Sequence, residues 1–142
     1  MASMPRIITV DPTLNIPRLV QAALDLIDTP VIQVNVRSGS DALDELNAGG
    51  KLVVAAYELD DEMKGVEFAL TVTRQSPETA VLIIGDFGDP DELLDDETLE
   101  DSPFLYLSRP LDHHRFMRVL TGGLESREAM VKAMSGPAAA AA

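Results

Sequence analysis

Carboxylates dominate the side chains able to do chemistry. Asp11 closes the apolar run Ile-Ile-Thr-Val-Asp at 7–11, and Glu58, Asp60, Asp61 and Glu62 crowd a stretch behind Tyr57. Between Asp86 and Asp101, nine of sixteen positions are Asp or Glu. A carboxylate can act as a nucleophile, and grouped carboxylates can hold a hard divalent cation. The 86–101 run lacks the spacing and glycine of a calcium loop, so it is expected to be a solvated face or a docking surface for a basic partner. His113 and His114 are adjacent on a predicted helix and point about 100° apart, so they cannot chelate one metal together. With no cysteine in the chain, disulfides, thiolate metal sites and a cysteine nucleophile are excluded. No set of nucleophile, base and oxyanion donor appears, and Asp11-Pro-Thr-Leu-Asn fits neither phosphate-loop pattern. Neither an enzyme nor a bound cofactor is expected.

Charge narrows the partners. Twenty-four acids against 11 bases give −13, which repels phosphate backbones and anionic lipid. Direct binding to nucleic acid or membrane is not expected. No apolar run approaches the ~18 residues of a membrane helix, and Met1 to Pro5 lacks the stretches of a signal peptide. A cytoplasmic location follows as an expectation. At 142 residues, 46% hydrophobic and 25% charged, the chain suits one globular domain.

Two periodicities alternate. Strand-length apolar runs fall at 6–10, 31–36, 52–57, 80–84 and 104–107, the second rich in β-branched residues. Between them lie helical spacings. Leu19, Val20, Ala23, Leu24 and Ile27 follow Asn15 as expected cap, with Pro17 in the first turn. Ser40 is expected to cap a helix with Ala42, Leu43 and Leu46, stopped by Gly49-Gly50. A third helix, 65–75, carries Val66, Ala69, Leu70 and Thr73 and ends at Ser76-Pro77. A short acidic fourth follows Pro90. A fifth starts near Asp112 with Phe116, Met117, Val119 and Leu120. This pattern predicts a (βα)5 fold, α/β and doubly wound, with a parallel sheet covered on both faces. Sites in such folds lie at the carboxyl ends of the strands. Residues 1–4 form an extension and 5–125 the domain. Residues 126–142 form a tail, in which 125–134 could carry the last helix past the domain, weakened at Gly122-Gly123. Ser135-Gly136-Pro137 and five alanines have the composition of a linker, a truncated boundary or a cloning remnant.

Four local matches in this order resemble the receiver domains of bacterial two-component response regulators. They are the run into Asp11, Tyr57 through Gly65-Val-Glu-Phe, Val81-Leu-Ile-Ile-Gly-Asp-Phe-Gly-Asp, and Tyr106-Leu-Ser-Arg-Pro-Leu-Asp. The resemblance implies a flavodoxin-like sheet in the order 2-1-3-4-5 and a phosphorelay setting, with a phospho-acceptor Asp, paired metal-binding acids, a switch hydroxyl and a lysine. Counting back from Gly65 puts Tyr57 at the acceptor position; counting forward along strand three gives Ala56. Asp11 matches one paired acid and Pro12 replaces the other. Gly85 stands at the hydroxyl position and Arg109, whose planar fork differs from an ammonium, at the lysine. Tyr106 matches an aromatic switch position, with a simple packing role equally open, and Pro110 a cis-proline. Arg109 beside Asp11 could form an ion pair in place of a metal. Such a chain is expected to be a pseudo-receiver with no bound metal. It would act without phosphorylation as a protein-interaction module, using a face of helix four, strand five and helix five for a protein partner or its own copy. The alternative is a switch regulated by a small ligand, or by unusual phosphorylation of Tyr57 or the neighbouring acids; Glu58 near the acceptor place could mimic a phosphorylated state.

Overall fold

A computed structural model describes residues 5–13, 15–27, 30–57, 65–85, 104–108 and 113–135; for 65, 66, 104, 106, 108, 127, 131, 134 and 135 it describes the backbone alone. The helix expected after Pro90, the acidic stretch 58–62, Arg109, Pro110 and Asp112 lie outside these residues.

Five strands, β1 (Arg6–Val10), β2 (Ile32–Val36), β3 (Leu52–Ala56), β4 (Ala80–Gly85) and β5 (Phe104–Ser108), form one sheet. Every pairing is parallel and the order is β2-β1-β3-β4-β5, as expected. The helices are α1 (Asn15–Leu26), α2 (Gly39–Leu46), α3 (Gly65–Gln75), α4 (His113–Glu125) and α5 (Arg127–Ser135). The period-two geometry of a strand sorts side chains into two layers. Ile7, Leu52, Val54, Leu82 and Ile84 pack with Ile16, Val20, Phe116, Leu120 and Met130 from α1, α4 and α5. Ile8, Val10, Val53, Ala55, Val81 and Ile83 pack with Ala42, Leu46, Phe68, Ala69 and Val72 from α2 and α3. All six residues of β4 are buried, because a central strand covered on both faces must be apolar throughout. β2 is less buried, as its edge position requires.

Three local expectations need correction. Ser38, not Ser40, caps α2: its extended backbone (φ −128°, ψ 156°) lets Oγ accept from the Asp41 N–H at 3.1 Å. Ser38 and Asp41 have capping-box spacing, which places the cap two residues earlier. Among the described side chains of α3, Phe68, Ala69 and Val72 are the buried ones; Leu70 and Thr73 are half-buried, the Thr73 hydroxyl donating to the Ala69 carbonyl, and the Val66 side chain lies outside the description. The large aromatic sets the rotation of that helix. Gly49 does end α2 as expected: at φ 103° its N–H donates to the Leu46 carbonyl at 2.8 Å, a left-handed turn that suits glycine.

The third correction is the tail. The last helix does not run on. It ends where the Ser126 N–H donates to the Gly122 carbonyl, and Ser126 Oγ accepts from Ala129 N–H at 3.0 Å to start α5. α5 packs back on α4 and buries Met130 completely. Gly122 and Gly123 are a notch rather than a weak point. A Cβ on Gly122 would lie 2.8 Å from the Ala129 carbonyl oxygen; one on Gly123 would lie 2.9 Å from Leu52 Cδ1 and 3.3 Å from Met130 Sδ.

Candidate functional site

The carboxyl ends of β1, β3 and β4 bring three of the expected positions to one edge of the sheet. Asp11 follows β1 and its N–H donates to the Val36 carbonyl at 3.1 Å. Its side chain is 2% exposed, so its oxygens must find partners inside the protein. They do. Oδ1 accepts from the Thr13 N–H at 2.9 Å and the Thr13 hydroxyl at 2.8 Å. Oδ2 accepts from the Ile16 N–H at 2.8 Å. The carboxylate therefore serves the first turn of α1, whose early N–H groups have no helical partner. A negative charge there also meets the favourable end of the helix dipole. Asn15 was expected to do this; it is the exposed first residue of α1 instead. The missed residue is Thr13, and the signal was Asp-Pro-Thr itself, a sequence suited to an Asx-turn.

β3 ends in the two residues that compete for the acceptor position. Ala56 pairs with Ile84 in register and packs against the α1 layer. Tyr57 continues the ladder, its N–H donating to the Ile84 carbonyl at 2.9 Å, and its half-buried side chain packs against the α2–α3 layer. Gly85, buried, closes β4 opposite Ser108 of β5. Tyr106 pairs with Ile83. Among the described residues no group of three or more His, Asp or Glu could hold a metal ion, and His113 and His114 are exposed at the start of α4. No helix of the described residues is long and apolar enough to cross a membrane.

No family model matches the chain, and no curated protein does. Solved structures do. The signal receiver domain of an HD domain-containing protein from Pseudomonas fluorescens Pf-5 superposes with TM-score 0.71 at 27% identity, over 88% of this chain and 90% of that one. A response regulator receiver domain protein from Clostridium thermocellum gives 0.70 at 15% identity, over 90% and 99%. The receiver domain of NtrX from Brucella abortus gives 0.67 at 21%, over 84% and 98%. The chain has the receiver fold. Within a receiver frame, the strand-tip edge is where the resemblance places phosphorylation chemistry. The groups seen there in this receiver fold are the α1-bound carboxylate of Asp11, the half-buried Pro12, the packed ring of Tyr57 and the bare backbone of Gly85. Arg109 and Pro110, and with them the ion pair expected between Arg109 and Asp11, fall outside the described residues.

Proposed function

We propose that this receiver-fold chain is a pseudo-receiver: a signalling domain without a phospho-acceptor that works through protein contacts and independently of phosphorylation. The observation that carries the proposal is the occupation of Asp11. Three donors already engage its two oxygens, and it is the one acid at the five positions that the resemblance assigns. Acyl-phosphate formation needs a carboxylate nucleophile and a cation to offset phosphoryl charge. Mg²⁺ demands near-octahedral oxygen ligation, and one buried carboxylate tied to a helix start is a poor foundation for it. Pro12 at the second acid position, and Tyr57 or Ala56 at the acceptor position, supply no carboxylate.

The partner is a protein rather than nucleic acid, in keeping with the net charge of −13. The proposed contact face is β5 with α4 and the acidic segment between β4 and β5. His113 and His114 are exposed on α4, while Phe116, Val119 and Leu120 hold that helix to the core. The location proposed is the cytoplasm.

Incubation with acetyl phosphate and Mg²⁺, followed by intact mass measurement, tests the chemistry. No phosphoryl adduct is expected. An adduct that peptide mapping places on Tyr57 or residues 58–62 would establish the phosphorylated switch in its place.

A further inference from the structure

The sheet has two edges, β2 at one and β5 at the other. β2 pairs with β1 without interruption from Arg6↔Ile32 to Val10↔Val36. At the two ends of that ladder, the Ile32 N–H donates to the Pro5 carbonyl at 2.9 Å and the Val36 carbonyl accepts from the Asp11 N–H at 3.1 Å, residues that flank β1. Main-chain groups alternate in direction along a strand of a parallel ladder. Those of Gln33 and Asn35 therefore face the outer edge.

Sheet edges are ordinarily blunted by charge, proline, a bulge or a covering element. Residues 31–36 contain no charged residue, no proline and no bulge, in a chain of net charge −13. A second observation concerns the strand itself. Ile32, which begins β2, is 44% exposed, an unusual exposure for a large hydrophobic side chain among the described residues.

We infer that β2 pairs with β2 of a second copy, antiparallel about Val34, joining the two sheets into one. The strand is self-complementary in that register. Val34 faces Val34, Ile32 faces Val36, and Gln33 faces Asn35, the pair whose outward N–H and C=O groups exchange two hydrogen bonds on each side of the two-fold axis. A neutral strand that reads alike in both directions offers nothing for a charged partner to select. It does fit its own copy, and the two-fold arrangement closes so that no free β2 edge remains. The pairing depends on the fold alone and leaves the β5–α4 face open for a different protein.

Sedimentation of the full chain over a concentration series, with amide hydrogen exchange measured alongside, tests this. A monomer–dimer equilibrium is expected, with protection of the Gln33 and Asn35 amides growing as dimer forms. Ile32→Lys, which sets an ammonium against Val36 of the second copy, is expected to weaken association at least about tenfold, with the melting of dilute protein unchanged. A monomer at every concentration overturns the inference. So does a dimer in which the Gln33 and Asn35 amides exchange freely, which would place the interface elsewhere. Protection independent of concentration also overturns it, because another segment of the same chain would then lie on the edge.

Discussion

Asp11→Ala is expected to destabilise the domain by about 2–3 kcal/mol, the cost of a lost helix cap together with a buried N–H left without a partner. For a chain of this size that is roughly 10 °C in melting temperature. The Ile16 N–H is the critical donor, because Ile16 is fully buried and its N–H donates to Oδ2. Asp11→Asn keeps one carbonyl oxygen and should lose about 1 kcal/mol. The comparison separates two roles for this acid. Carboxylates that share a cation repel one another when it is absent, so removing one of them tends to stabilise the apo protein, and Mg²⁺ then stabilises the wild type alone. A structural cap behaves otherwise: the loss is the same with and without Mg²⁺. Thermal melts of wild type, Asp11→Ala and Asp11→Asn in both conditions give the answer. A Mg²⁺-dependent rise in the wild type that Asp11→Ala abolishes would assign the carboxylate to a metal.

Removal of α5 should be costly as well. Met130 is fully buried among the residues that join α1, α4 and the sheet, and Met130→Ala should cost about 2–4 kcal/mol, in line with other long apolar side chains cut back to alanine in a core. Ending the chain after Glu125 should cost more, since it also exposes Gly123 and the Leu52 side chain beneath it. Gly122→Ala tests the same contact from the other side. Its Cβ would stand 2.8 Å from the Ala129 carbonyl oxygen and 3.0 Å from Met130 Cα, backbone atoms that yield only if α5 moves away. With α5 displaced, Met130 has less to lose, so the two substitutions should be strongly non-additive, by more than about 1 kcal/mol. Chemical denaturation of the two single variants and the double variant measures this. A Met130→Ala effect within about 0.5 kcal/mol of zero, the range of an ordinary surface substitution, would mean that α5 does not belong to the core.

Much of the architecture is legible in the residues. Alternating strand and helix periods specify a parallel sheet, and the all-apolar runs at β3 and β4 mark the two strands buried on both faces. The strand tips then say where to look, and Asp11, Tyr57 and Gly85 do lie there. Less legible is what each side chain does. Asn15 and Ser40 are reasonable caps by type, yet Asp11 and Ser38 hold the helix starts. Caps depend on backbone angles that a pattern of residue types leaves open. The Gly122-Gly123 pair misleads more deeply. On a helix, paired glycines signal low propensity, and only the contact with a later segment shows that the absent side chains make room. Met130 gives no warning either, because the nine residues of α5 carry a weak apolar pattern and its burial is set by neighbours across the fold.

A pseudo-receiver and a working phosphorylated switch differ at the tips of β1, β3 and β4. Backbone amide spectra of isotopically labelled protein, recorded as Mg²⁺ and then beryllofluoride are added, distinguish the two. The resonances of Asp11, Thr13, Tyr57 and Gly85 are expected to stay in place at every addition. Saturable shifts centred on those residues, requiring both reagents, would show a working phosphoryl site and contradict the pseudo-receiver.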